Sequence, residues 1–229
     1  MEEKKALLRE KKYEAVIFDL DGTLLNTLED LKDSVNYGLK KNHMPERTLE
    51  EIRHFVGNGV QRLVALAVPE GTGVEEQNKV FAAFKEHYKK HCNDKTDLYP
   101  GIQELLTELK KRGFSMAIVS NKLQEGVDAL SKQYFESYLG TAIGTREGLR
   151  KKPAPDSVLE ALRLLNIPKE HAVYVGDSEV DIATAQNTQM DCITVTWGFR
   201  TKEEQKAAGA DVFVDRPEEI IPLLYERLW

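Results

Sequence analysis

Residues Tyr13 to Thr27 read YEAVIFDLDGTLLNT. The run Ala15-Val16-Ile17-Phe18 is apolar at every position, whereas a half-solvated strand alternates. Continuous apolar character over so short a run suits a parallel strand covered on both faces. It stops abruptly at Asp19 and Asp21, with Gly22-Thr23 behind them. Buried carboxylates are costly unless something pairs with them. A core strand that ends in two acids therefore needs partners for both.

The pattern recurs along the chain. Met116–Val119, Ala172–Val175, Cys192–Val195 and Val212–Val214 are short apolar runs, with a weaker one near Thr141–Ile143. Amphipathic stretches lie between and after them at 102–111, 123–131, 156–165, 179–187 and 218–228. This alternation predicts an α/β fold, a doubly wound, Rossmann-like parallel sheet. From about Thr27 to Asp97 only helical periodicity appears, as in Leu28-Leu31-Val35-Leu39 and Val80-Phe81-Phe84-Tyr88. Breaks fall at Met44-Pro45, Val56-Gly57-Asn58-Gly59 and Pro69 to Gly73, and Tyr99-Pro100-Gly101 marks the return to alternation. The expected division is an α/β core domain of residues 1–26 and 98–229, carrying the catalytic site, and an inserted helical cap domain at 27–97.

Composition narrows the class. The chain has 229 residues, 31% charged and 41% hydrophobic, as a soluble globular protein does. A net charge of −6 argues against a nucleic-acid binder, which carries a basic patch. No apolar run approaches the roughly 20 residues of a membrane span. The opening MEEKKALLREKK lacks a signal peptide's apolar centre and reads as a short helical lead-in. Cys92 and Cys192 share no motif spacing, so neither a disulfide framework nor a zinc site is implied. A cytoplasmic monomer or homodimer is expected.

In open parallel sheets, ligands sit beyond the carboxyl ends of the strands. Those ends supply Asp19, Asp21, Gly22 and Thr23, then Ser120, Asn121 and Lys122, then Gly176, Asp177 and Ser178 with Asp181 close behind. Arg150-Lys151-Lys152-Pro153 precedes the helix before the third of these ends. Carboxylates crowded together raise one another's pKa unless a cation joins them. An all-oxygen donor set without a Cys or His cluster favours Mg²⁺ over zinc. Magnesium commonly shares its coordination with phosphate oxygens, so a small phosphorylated metabolite is the expected partner. One of Asp19 and Asp21 attacks phosphorus, and its neighbour protonates the leaving oxygen and later deprotonates water. Ser120 and Asn121 offer hydrogen bonds to phosphoryl oxygens, and Lys152 supplies positive charge in the transition state.

At these residues the sequence resembles the haloacid dehalogenase superfamily. Its four motifs stand in order as DLDGT (Asp19–Thr23), SN (Ser120-Asn121), KP (Lys152-Pro153) and GDSEVD (Gly176–Asp181). The resemblance runs from about Tyr13 to near the end and includes the cap between the first two motifs. It implies that Asp19 is the nucleophile, forming an aspartyl-phosphate, and that Asp21 is the general acid and base. It further implies that Asp19, the backbone carbonyl of Asp21, and Asp177 hold Mg²⁺, with Asp181 tying the acidic loop to the lysine or to metal-bound water. Dehalogenases lack the second acid, so Asp21 argues against them, and Gly22-Thr23 departs from the Gly-Val of β-phosphoglucomutase-like members. HFVGNGVQRLV (54–64) and TWGFRTKEEQKAAGAD (196–211) are similar to phosphoglycolate phosphatases. The alternatives that stay open are a pyrophosphatase, a sugar or nucleotide phosphatase, a β-phosphoglucomutase-like phosphomutase, and a non-catalytic binding protein that keeps the fold.

Each fragment also has an ordinary reading. Ser120-Asn121 alone is a helix N-cap, Lys152 to Asp156 a turn into a helix, and Asp177 with Asp181 a cap and a first-turn acid. The His residues read as surface groups, with His54 of interest because it precedes the Gly57-Asn58-Gly59 loop. That loop and neighbouring Arg62 are candidates for contact with the non-phosphate part of the substrate.

Overall fold

Val and Ile at successive positions favour an extended backbone with both faces packed. In the computed structural model, which describes residues 12–225, each apolar run is a strand. The first half of the chain forms β1 (Ala15–Phe18), β2 (Leu25–Asn26), α1 (Leu28–Lys41), α2 (Leu49–Phe55), α3 (Val60–Ala67), α4 (Val74–His91) and β3 (Asp97–Leu98). Next come α5 (Ile102–Lys111), β4 (Ser115–Leu123), α6 (Gln124–Leu130), β5 (Thr141–Thr145), α7 (Asp156–Leu165) and β6 (Ala172–Gly176). The chain continues through α8 (Glu179–Thr188), β7 (Asp191–Val195), α9 (Lys202–Ala207), β8 (Phe213–Val214) and α10 (Ile220–Leu223).

Six strands form one parallel sheet in the order β5-β4-β1-β6-β7-β8. Alternate side chains of each run go to opposite faces. Val16, Phe18, Ile118 and Val175 join α5 residues Leu105, Leu106 and Leu109 in one core. Ala15, Ile17, Val119 and Tyr174 meet Val158, Ala161 and Leu162 of α7 in the other. Helices on both sides are why the strands read as unbroken apolar runs.

The four helices α1 to α4 share a third core, which Phe199 from the α/β part also joins. Leu28, Leu31, Val35 and Leu39 of α1 meet Ile52, Leu63, Val80 and Phe84. Gly38 lets α1 and α4 approach closely, since a Cβ there would lie 2.8 Å from the Val80 carbonyl oxygen. Thr48 opens α2 with a capping box to Glu51. The two chain crossings into and out of this bundle are the antiparallel pair β2 and β3, with Leu25 opposite Leu98 and Asn26 opposite Asp97. Beside them the buried Asp30 carboxylate accepts hydrogen bonds from the Thr96 N–H (2.9 Å), the Thr96 hydroxyl (2.7 Å) and the Lys95 N–H.

Several boundaries differ from expectation. β4 runs on to Leu123 through a register shift, so Ser120 to Lys122 lie within a strand rather than after it. The expected last helix is a 3₁₀ turn, Pro217–Glu219, followed by the short α10. Residues 226–228 of that expected helix, and residues 1–11 of the lead-in, lie outside the described residues. Among the described residues, no helix is long and apolar enough to cross a membrane.

Candidate active site

Because β1 lies between β4 and β6, the chain leaves it to one side and later fills the other, which opens a crevice at the carboxyl ends of the three strands. The Asp19 N–H donates to the Val175 carbonyl at 2.9 Å, extending the ladder one residue past β1. Gly22 then turns the chain at φ +93°, and a Cβ there would lie 2.6 Å from Asp177 Oδ2. Only glycine fits so close to that carboxylate.

The carboxylates of Asp19, Asp177 and Asp181 gather within 4.8 Å of one another, all buried. The buried Lys152 ammonium lies among them, 2.6 Å from Asp19 Oδ1, 2.7 Å from Asp181 Oδ1 and 3.1 Å from the Tyr174 hydroxyl. Asp181 also accepts from the Ser178 N–H at 3.0 Å, the Ser178 hydroxyl at 2.6 Å and the Tyr174 hydroxyl at 3.0 Å. It is thus both the capping-box partner of α8 and an anchor for Lys152, so the ordinary reading and the functional one coincide there. Burial is the largest influence on each of these acids. Asp181 nevertheless stays low because Lys152 and Ser178 hold its charge. Burial and the Asp181 charge push Asp19 well above the carboxylate range and push Asp177 up to about 7. Lys152 is desolvated, yet Asp181 and Asp19 hold it charged.

Two acids raised in this way mark negative charge that one lysine does not balance. The surrounding donors are oxygens; among the described residues Asp177 Oδ1 meets the Thr23 hydroxyl at 3.3 Å, while its Oδ2 accepts from the Phe199 N–H at 2.7 Å. This donor set fits a hard divalent cation. Gly198 closes the far side, where a Cβ would lie 2.3 Å from the Asp177 Cβ. Gly198→Ala therefore displaces Asp177. Because misplacement by about 1 Å costs about 100-fold in rate, kcat/KM is expected to fall by that order, and a turnover assay checks it.

Asp21 stands apart from the cluster. Lys122 Nζ lies 3.0 Å from its Oδ1 and 2.5 Å from the hydroxyl of Tyr88 on α4. In the sequence Lys122 is a strand-end residue and Tyr88 part of a helical stripe. The partnership joins residues 21, 88 and 122, and no local pattern signals it.

Ser120 and Asn121 reach the crevice on β4 rather than capping a helix, since α6 begins after Leu123 with no side-chain cap. The Ser120 hydroxyl accepts from the Lys122 N–H at 3.2 Å, which leaves its own hydrogen to donate. Asn121 differs from the expectation for its side chain: both amide hydrogens are engaged, on the Gly57 carbonyl (3.1 Å) and the Lys152 carbonyl (3.0 Å). Two acceptors on one side fix the amide orientation. Asn121 thus ties the α2–α3 loop to the lysine loop.

Other core cations grip the same loop. Lys151 donates to the Asn58 carbonyl at 2.9 Å. Arg200 donates to the Arg53 carbonyl from Nη1 (2.9 Å) and the Val56 carbonyl from Nη2 (2.7 Å), capping the C-terminus of α2, while Nε and Nη2 also hold Glu179. Gly57 and Gly59 line the crevice, but Arg62 is exposed and does not. His54 is also turned away, 3.3 Å from Glu50 and 3.8 Å from Glu204.

Residues 16–195 match the family model described as haloacid dehalogenase-like hydrolase. Phosphoglycolate phosphatase 1 of Pseudomonas aeruginosa is 30% identical over 213 residues, covering 90% of this chain and 78% of that protein. Phosphoglycolate phosphatase of Rhodobacter capsulatus is 34% identical over 193 residues, covering 81% and 85%. A crystal structure from Lactobacillus delbrueckii subsp. bulgaricus, provisionally described as a phosphoglycolate phosphatase, superposes with a TM-score of 0.89 at 37% identity, covering 93% of this chain and 98% of that one.

Proposed function

The chain belongs to the haloacid dehalogenase-like hydrolases, and from that premise we propose that it is a Mg²⁺-dependent phosphatase whose preferred substrate is 2-phosphoglycolate. The observation that carries the reading is the pair of acids at the end of β1. Asp19 is held by Lys152 among the buried carboxylates, while Asp21, two residues on, faces Lys122 instead. A cation in the buried cluster would hold Asp19 ionised, as a nucleophile has to be, whereas Asp21 stands outside that cluster and is left for proton transfer.

Asp19 attacks phosphorus, and the bond from phosphorus to the leaving oxygen breaks as Asp21 gives that oxygen a proton. Water then attacks the aspartyl-phosphate, Asp21 takes its proton, and the bond between Asp19 and phosphorus breaks to release phosphate. The Ser120 hydroxyl and the Lys152 ammonium hold phosphoryl oxygens through both steps. Asn121 keeps the α2–α3 loop and the Lys152 loop in register. Asp19, Asp177 and the Asp21 backbone carbonyl would hold Mg²⁺, which when bound offsets negative charge on the nucleophile and the phosphoryl group. Residues 27–97 act as a cap over the crevice, gripped from below by Asn121, Lys151 and Arg200, and they exclude bulk water from the phosphoenzyme.

A panel of phosphoesters tests this. Phosphate release that stops with EDTA and returns with Mg²⁺ is expected, with the highest kcat/KM on 2-phosphoglycolate. Because burial holds Asp177 up to about 7 without metal, cation binding displaces a proton. The Mg²⁺ concentration for half activity is therefore expected to fall as pH rises toward 7. Activity unchanged by exhaustive chelation contradicts the metal assignment.

A further inference from the structure

Three cationic side chains line the crevice among the described residues: Lys122, Lys152 and Arg200. Lys152 is engaged by Asp19, Asp181 and Tyr174, and Arg200 by Glu179 and two backbone carbonyls. Lys122 differs from both. Its ammonium is buried and bonded to the Asp21 carboxylate and the Tyr88 hydroxyl, and Asp21 is the group proposed to act at the leaving oxygen. Lys122 also borders a second hollow between the helical cap and α6, floored by Val60, Phe84 and Leu123. It therefore borders both the crevice and this hollow.

We propose that Lys122, steadied by Tyr88, is the specificity residue that binds a carboxylate on the leaving group. The inference rests on the phosphoglycolate reading. In that substrate the carboxyl carbon is two bonds from the ester oxygen, so the group that protonates the oxygen and the group that binds the carboxylate have to be neighbours. Asp21 and Lys122 are such neighbours, 3.0 Å apart. An ammonium carries three N–H donors, and Asp21 and the Tyr88 hydroxyl are the two hydrogen-bond partners of Lys122 among the described residues, so one donor remains for a substrate carboxylate. Tyr88 comes from the cap, so the seat is complete only when cap and core are together. Arg62, the cation that the sequence suggests for this task, is exposed and outside the crevice.

The test compares kcat/KM for 2-phosphoglycolate and for 2-hydroxyethyl phosphate, which is of similar length and lacks the carboxylate. Both are measured in one preparation, so their ratio is independent of how much of a variant is folded. Wild type is expected to favour phosphoglycolate. Lys122→Met is expected to reduce the preference by about 10–100-fold, the worth of a charged hydrogen bond. Lys122→Arg keeps most of it. A preference that survives in Lys122→Met, with both substrates slowed alike, overturns the specificity role and reduces Lys122 to a support for Asp21. A wild type without preference overturns the phosphoglycolate reading first, before any variant is made, and the role of Lys122 falls with it.

Discussion

Asp19→Asn is expected to abolish turnover while leaving the fold as stable as before, or more so. The two halves of that expectation have separate causes. An amide in place of the carboxylate removes the proposed nucleophile, and without it the proposed aspartyl-phosphate is not expected to form. Loss of an attacking group in covalent catalysis costs on the order of 10⁴-fold or more in kcat. Stability responds in the opposite sense because the Asp19 charge is buried and repelled by Asp181, which is why its pKa lies well above the carboxylate range. Asparagine keeps the shape and an oxygen for Lys152, which lies 2.6 Å from Oδ1 in the native chain. Phosphate release and thermal melting of the same sample check both halves. Residual kcat within about tenfold of wild type is incompatible with a covalent role on the magnitudes above, and a large fall in Tm shows that the carboxylate is structural.

The framework of this site was legible because its chemistry sits at strand ends, and strand ends are local in sequence. Ala15 to Phe18 is apolar without interruption because α5 and α7 cover opposite faces of β1, and the acids begin where that cover stops. What escaped was set by contacts between distant segments. The strands β2 and β3 are two residues each, too short for any periodicity, and exist only because the two chain crossings meet. Asn121 looked like a phosphate donor from its residue type. Its amide is instead committed to the carbonyls of Gly57 and Lys152, 64 and 31 residues away in the chain. Arg200 was invisible for the same reason, since its partners at Arg53 and Val56 are backbone oxygens of a helix end, which no side-chain pattern encodes.

Lys152→Met is expected to damage both activity and stability, and the two losses separate with a second substitution. The ammonium is the shared partner of Asp19 and Asp181 at 2.6 and 2.7 Å, in a site where both acids are buried. Removing one partner of a buried charge pair costs about 3–5 kcal/mol, and for a chain of this size that lowers Tm by on the order of 10 °C. Loss of a preorganised charge at the phosphoryl group lowers kcat by about 10²–10³-fold. Adding Asp181→Asn to Lys152→Met removes one of the stranded charges. The amide oxygen takes the place of Oδ2, which accepts from the Ser178 N–H and hydroxyl at 3.0 Å and 2.6 Å. The amide NH2 takes the place of Oδ1 and donates to the Tyr174 hydroxyl, 3.0 Å away and freed of Lys152. The double variant is therefore expected to regain part of the lost Tm and none of the lost kcat. Mg²⁺ held as proposed would offset the remaining negative charge of the folded state, so it is expected to raise the Tm of Lys152→Met by more than that of wild type. If the double variant instead recovers activity along with stability, Lys152 acts only by neutralising Asp181, and the positive charge at the phosphoryl group has to come from Lys122 or the metal alone.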